Sequence, residues 1–161
     1  MVTGGVPYYL KHLKKSKSII QNINELCFVE DALLYNEFNR LFNALFEEAE
    51  MNLMLIRTIA KSWQGMTREE LIKQTHVSSG GTLNKRLIEL EAAGFIKQYI
   101  PYGYAKRERF YRIIDEYTLF YLKWIEPGKL AGHGFVDHHW QRVSNTTSWK
   151  SWAGYGFQSI C

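Results

Sequence analysis

The chain has 161 residues, of which 46% are hydrophobic and 22% are charged. This globular composition excludes wholesale disorder and suffices for one domain or two small units. Its net charge of +4 permits contact with phosphates but does not require it. The positive charge is concentrated in residues 66–114, where nine Lys and Arg against five Asp and Glu leave +4.

Two cysteines, Cys27 and Cys161, are too few for a disulfide framework or a metal centre, so we expect reduced thiols. No segment approaches the roughly 20 apolar residues that span a bilayer, and no cleavable leader is recognisable. We therefore expect a cytoplasmic protein without a membrane partner.

Helices are predicted in the first third of the chain. Pro7 follows a Gly-Gly turn and suits the first residue of a short helix. Ser16 or Ser18 can cap a second helix, and Asp31 can cap a third. Apolar residues recur at helical spacing in these two segments, namely Ile19, Ile20, Ile23 and Leu26, then Leu34, Phe38, Leu41, Phe42 and Leu45.

The next segment predicts a buried helix followed by a short, well-capped one. Residues 48–61 are apolar over much of a helical circumference, which indicates burial, and Gly65 ends this unit. Thr67 and Glu70 form the capping-box pattern that starts a short helix ending at about residue 74.

After this short helix, the sequence predicts another helix and then a β-hairpin. Ser78 or Ser79 can cap this helix, and Gly94 is its stop signal. The leucines that share one of its faces are Leu83, Leu87 and Leu90. Beyond Gly94 the pattern alternates, which predicts a hairpin with a basic tip.

The last part of the sequence predicts one more helix and then a linker. Asp115 can cap an aromatic-rich helix that Pro127 and Gly128 end. Glycines and polar residues in 129–145 predict a linker, and an apolar-aromatic pattern resumes in 149–161.

The predicted elements from residue 48 onward follow the order of a winged helix-turn-helix. They are a helix, a capped short helix, a tight turn, a second helix and a basic hairpin. In that fold the second helix of the turn motif enters the major groove. Asn84 can pair with adenine, and Lys85 or Arg86 with guanine or phosphate, while the wing contacts the backbone or minor groove. The predicted DNA-binding residues are Thr82, Asn84, Lys85, Arg86, Lys106, Arg107 and Arg109.

The same charges can instead be solvated groups on a domain that contacts proteins. Three acidic residues, Glu89, Glu91 and Glu108, oppose DNA contact because carboxylates repel phosphates. Both interpretations therefore stay open at the level of the sequence.

Other candidate sites lack the required spacing. The glycine pairs 4–5 and 80–81 are not followed by the Lys and Ser or Thr that complete a phosphate-binding loop. Metal-binding residue types in the predicted linker fit no helical zinc pattern; they are His133, Asp137, His138 and His139. We therefore expect no metal site and no complete catalytic site.

Several stretches carry a family resemblance. They are residues 3–10 (Thr-Gly-Gly-Val-Pro-Tyr-Tyr-Leu), 67–114, 111–117 with Phe120 and Trp124, and 151–158 (Ser-Trp-Ala-Gly-Tyr-Gly-Phe-Gln). In this order they resemble the helical lid, the winged helix, the segment after it and the start of the nuclease-like C-terminal domain of AAA+ type ATPases of archaea and bacteria. That terminal domain, of unknown function, is similar to restriction-endonuclease-like nucleases.

The resemblance implies a larger protein whose phosphate-binding loop lies upstream of this chain and whose nuclease-like domain lies mostly downstream. ATP and Mg²⁺ are then expected only in an intact family member, where Gly4, Gly5 and Pro7 would lie near the nucleotide. The family usually has Glu where Gln158 stands, and a neutral amide is a poorer ligand for a hard cation than a carboxylate.

We therefore predict a mainly α-helical protein with a small β-hairpin wing. Its predicted parts are a lid-like bundle (1–47), a winged helix-turn-helix (48–114), a helix after the wing (115–128) and a linker with a truncated nuclease-like start (129–161). The predicted function is the DNA-binding or regulatory portion of a P-loop ATPase, with double-stranded DNA as partner and no enzymatic activity of its own. The alternative is a protein-interaction module, in which aromatic residues of 117–124 contact the ATPase core or a second copy.

Overall fold

The structure is mainly helical with a small three-stranded antiparallel sheet, as the sequence predicts. The chain divides into two compact units, one formed by Met1–Arg40 with Phe120–Cys161 and the other by Leu41–Leu119. The computed structural model describes residues 2–29, 31–78, 80–105, 108–130 and 139–160, with side chains up to residue 154. Among the described helices, none is long and apolar enough to cross a membrane.

The helices are α1 (Pro7–Leu10), α2 (Ile19–Cys27), α3 (Leu33–Leu45), α4 (Ala49–Ile59), α5 (Arg68–Thr75), α6 (Gly81–Ala92), α7 (Glu116–Phe120), α8 (Glu126–Leu130), α9 (His139–Val143) and α10 (Thr147–Ile160). A π-helical turn, Tyr121–Ile125, joins α7 to α8. The strands are β1 (Met66–Thr67), β2 (Ile96–Tyr99) and β3 (Phe110–Ile113).

The first unit begins with two helices whose starts follow local sequence signals. Pro7 is the first residue of α1, where its missing N–H costs no hydrogen bond. Ser18 caps α2, because its Oγ accepts from the Gln21 N–H at 3.2 Å and the Gln21 side chain accepts from the Ser18 N–H at 2.9 Å. The predicted cap of α3 is wrong: Asp31 has a left-handed φ of 57° and α3 begins two residues later, at Leu33.

An aromatic cluster around Trp140 occupies the core of the first unit. Trp140 is 1% exposed, stacks on Phe28 with 5.4 Å between ring centroids and meets Trp149 edge-on at 4.5 Å. Its backbone N–H donates to Asn24 Oδ1, 116 positions earlier in the chain. Because Trp140 belongs to α9, the prediction of a linker is wrong for these residues. The polar residues around Trp140 in the sequence gave no sign that its ring is buried.

The helix after the wing begins as predicted but ends later. Asp115 caps α7, since its Oδ2 accepts from the Thr118 N–H at 2.6 Å. Pro127 and Gly128 do not end the helix: the backbone passes through the π-helical turn and continues as α8, with Pro127 as its second residue. A proline inside a regular helix lacks an N–H donor and clashes with the carbonyl four residues earlier. Here the turn before Pro127 is π-helical, and the Glu126 N–H donates to the Tyr121 carbonyl.

The core of the second unit lies between α4, α5, α6 and the sheet. Its buried apolar side chains include Leu53, Leu55, Ile56, Ile59, Leu71, Leu83, Leu87, Leu90, Phe95, Ile96, Phe110 and Ile113. The burial of α4 confirms the prediction for residues 48–61. This unit extends beyond 48–114 at both ends.

A sharp turn at Gly65 starts the sheet. Gly65 has a φ of 82°, and a Cβ at this position would lie 2.2 Å from the Tyr111 carbonyl oxygen. This close approach lets Met66 and Thr67 pair with Tyr111 and Phe110, so that the strand order is β1-β3-β2. The sequence does not predict β1, because two residues are too few for an alternating pattern.

Helix α5 starts and ends through local interactions. The Thr67 Oγ1 accepts from the Glu70 N–H at 3.2 Å, and the Glu70 carboxylate accepts from the Thr67 N–H at 2.7 Å. The predicted capping box is therefore confirmed. His76 closes the helix in the left-handed conformation, with a φ of 56°.

Helix α6 starts differently from the prediction and ends as predicted. Gly80 occupies the N-cap position, so Ser78 does not cap this helix, and Ser79 lies outside the described residues. Gly94 follows the helix with a φ of 80°. Strands β2 and β3 then pair antiparallel as the predicted hairpin.

The replacement Gly65→Ala is expected to destabilise the protein by about 3 kcal/mol, through left-handed strain and the clash with the Tyr111 carbonyl. Gly94→Ala is the matched control, because Gly94 has nearly the same φ, 80°, and open space around its Cβ position. It should cost only about 1 kcal/mol. Urea denaturation followed by circular dichroism measures both, and equal destabilisation would contradict the assigned clash.

The Cys27 thiol is expected to react slowly in the native protein. Cys27 is fully buried, and this burial raises the pKa of its thiol, which lowers the reactive thiolate fraction. In a Cys161→Ser variant, the reaction of Cys27 with a chromogenic disulfide should be on the order of 100-fold slower without denaturant than with it. Equal rates would show that Cys27 is accessible.

Candidate nucleic-acid interface

The first turns of α6 carry exposed polar side chains beside a buried leucine face. Leu83 and Leu87 point into the core, so helical periodicity turns positions 84 and 85 outward. Thr82, Asn84 and Lys85 are exposed. Three of the four predicted contacts on this helix are therefore accessible to a ligand.

Arg86 is the exception, and its predicted exposure is wrong. It is 4% exposed; its Nη1 lies 2.6 Å from Glu89 Oε2, and its Nη2 lies 3.4 Å from Glu48 Oε1. Its position next to Leu87 carries it to the inner edge of the helix, where a charge needs paired partners. Arg86 thus ties α6 to the residue before α4 and is not available to a base or phosphate.

Arg68 is a functional candidate that the sequence analysis missed. It is the first residue of α5, directly after the Thr67 cap. Its Nε donates a hydrogen bond of 2.9 Å to Asn84 Oδ1 on α6. The capping box located Arg68 at the start of a helix, but no sequence signal links residues 16 positions apart on two different helices.

A groove of about 400 Å³ lies between α6 and the sheet. Its lining is formed by Arg68, Glu69, Asn84, Leu87, Ile88, Glu91, Gln98, Arg109 and Tyr111. Burial and the nearby Glu91 carboxylate raise the pKa of the Tyr111 phenol, while Arg109 and Arg68 oppose that shift. Arg68 of α5 and Arg109, which precedes β3, therefore line the same groove as the Tyr111 hydroxyl and Asn84 of α6.

Of the three predicted wing cations, the structure describes one. Arg109 is exposed and lines the groove. Lys106 and Arg107 lie outside the described residues. Arg109 is therefore the described cation of the predicted wing that lines the same groove as Asn84.

The acidic residues that opposed DNA contact have partners within the second unit. Glu89 pairs with Arg86, and its Oε1 lies 4.0 Å from Lys85 Nζ. Glu91 accepts from the Gln98 N–H at 3.0 Å, and Glu108 accepts from the Ala105 N–H at 2.9 Å. These hydrogen bonds and ion pairs partly offset the negative charge of the three carboxylates. Their repulsion of DNA phosphates is therefore weaker than the sequence alone suggests.

The remaining candidates lie in the first unit. Gly4 and Gly5 form a turn with φ values of 56° and 71° before Pro7. His139 contacts the Phe28 ring, whereas His133, Asp137 and His138 fall outside the described residues, as does the side chain of Gln158. Within the part of the chain that the structure describes, no cluster of three His, Cys, Asp or Glu residues is arranged to hold a metal.

The second unit thus combines helices with a small three-stranded antiparallel sheet, and its exposed polar positions lie at the start of α6. Comparison of the chain with protein-family models, with curated proteins and with solved structures finds no match. Any function of this surface therefore has to be inferred from its own residues.

Arg86→Ala is expected to lower the free energy of unfolding by about 2 kcal/mol, because it removes a buried cation and leaves Glu48 and Glu89 without it. The neighbouring exposed replacement Lys85→Ala should stay within about 0.5 kcal/mol of the native value. Chemical denaturation of both variants is the measurement. If the Arg86→Ala protein is as stable as the Lys85→Ala protein, the structural role assigned to Arg86 is contradicted.

Proposed function

We propose that the second unit is a DNA-contacting winged helix that places α6 against the major groove of double-stranded DNA. The observation that carries the proposal is the exposed polar group Thr82, Asn84 and Lys85 at the start of α6. In this fold, residues at that position reach base edges. The leucine face of the same helix is buried and leaves this side as the accessible one.

Electrostatic docking accompanies this contact. Residues 66–114 carry a formal charge of +4 in a chain whose total is also +4. Lys85, Lys106, Arg107 and Arg109 contact phosphates in this mechanism, which gives affinity without sequence preference. Preference comes from the remaining side chains of α6.

The larger assignment rests on the resemblance to AAA+ type ATPases. In this proposal the unit is the DNA-binding or regulatory portion of such a cytoplasmic ATPase. ATP and Mg²⁺ bind to the ATPase core and not to these residues, and the chain performs no catalytic step of its own.

Burial favours DNA contact over the protein-interaction alternative. That alternative used the aromatic residues of 117–124 as an exposed surface, yet Tyr117, Phe120 and Tyr121 are 2%, 0% and 1% exposed. These three rings are largely inaccessible to a partner, whereas Trp124 is only partly buried, so burial reduces the predicted aromatic surface without removing it. The exposed polar start of α6 has no such obstacle.

The test is a fluorescence-anisotropy titration of a generic duplex at two salt concentrations. The triple replacement of Lys85, Lys106 and Arg107 by Ala should weaken binding for all sequences. It should also reduce the slope of log affinity against log salt by about 0.9 for each phosphate that the variant no longer neutralises.

The matched control replaces Lys11, Lys15 and Lys150 by Ala, which removes the same charge from exposed positions of the first unit. Its binding and salt slope should stay close to the native values. Absence of binding at low salt, or equal weakening in both triple variants, would contradict the proposed interface.

A further inference from the structure

The hydrogen bond between Arg68 and Asn84 determines how Asn84 is presented to a ligand. The Arg68 Nε–H group points at Asn84 Oδ1 at 2.9 Å. The Thr67 capping box holds the start of α5, so the guanidinium is supplied from a fixed backbone position. Asn84 itself is exposed and keeps part of its amide available.

The chemistry of arginine fixes the orientation of this amide. A guanidinium carries N–H donors and no acceptor, whereas an asparagine amide has an acceptor oxygen at one end and two donors at the other. Rotating the Asn84 amide by 180° would set its NH₂ group against the Nε–H of Arg68. The oxygen therefore faces Arg68, and the NH₂ group is the part left to contact a ligand.

Neighbouring side chains strengthen this donor character. Lys85 is exposed and can only donate, and Arg109 lines the same groove as Asn84. In the major groove, guanine presents two acceptors, N7 and O6. Adenine presents the acceptor N7 and an NH₂ donor. Donor groups at this surface therefore fit the two acceptors of guanine, whereas the adenine amino group presents a further donor to them.

We propose that Arg68 is a positioning residue that gives the recognition helix a preference for guanine over adenine at the base pair facing Asn84. This inference rests on the proposed function. It competes with the adenine contact expected from the sequence, because the Asn84 oxygen that would accept from the adenine amino group already accepts from Arg68 Nε.

The experiment first selects duplexes from a randomised pool with the native chain, then measures single G·C to A·T changes by anisotropy. The position whose preference disappears in Asn84→Ala is the base pair facing Asn84. At this position the native chain should favour G·C over A·T by at least about fivefold. Arg68→Met keeps most of the aliphatic stem but no donor, so it should reduce that ratio to about one or reverse it.

Arg112→Met is the matched control. This replacement removes the same charge from β3. The alternation of side chains along a strand places Arg112 on the face opposite Tyr111. It should keep the native preference. Asn84→Asp supplies a second variant with the Arg68 donor intact but without the NH₂ group, and it should also lose the preference for G·C.

The outcomes separate this inference from the proposed function. If the native chain binds no duplex, the proposed function fails. If it binds duplexes but prefers A·T at that position, or if Arg68→Met or Asn84→Asp keeps the G·C preference, DNA binding stands and the positioning role of Arg68 is overturned.

Discussion

Burial of the leucine face of α6 is the constraint on which the candidate interface depends. Leu83, Leu87 and Leu90 are at most 3% exposed, and α6 contacts α4 and β2. Turning this face inward exposes Asn84 and Lys85 and draws Arg86 into the interior. The cost of burying Arg86 is offset by Glu48 and Glu89. Burial of the leucine face therefore determines both which side chains of α6 are exposed and which ion pairs form at its inner edge.

The sheet supplies the second constraint on the same surface. Gly65 permits a turn that no residue with a Cβ fits without moving the Tyr111 carbonyl. The resulting β1 strand leads directly through the Thr67 cap into α5, so Arg68 starts that helix beside Asn84. A backbone feature at one glycine is thus connected to the orientation of a side chain on another helix.

Aromatic packing has the corresponding role in the first unit. Phe28, Phe120 and Trp124 all contact Trp140. The sequence shows that aromatic residues concentrate toward its end, but it does not show which rings meet. The residues of α9 looked like part of a linker because the feature that orders them, burial of Trp140, depends on α2 and on the segment after α7.

Local signals in the sequence determined the helical class, the hairpin and most element ends. Pro7, Ser18, Thr67 with Glu70, Gly94 and Asp115 act within a few residues, and their interactions can be recognised from spacing alone. Contacts between distant residues decided the rest. The tertiary structure placed Arg86 inside, paired β1 with β3 and set Arg68 against Asn84, because each of these depends on surfaces that meet only after the chain has folded.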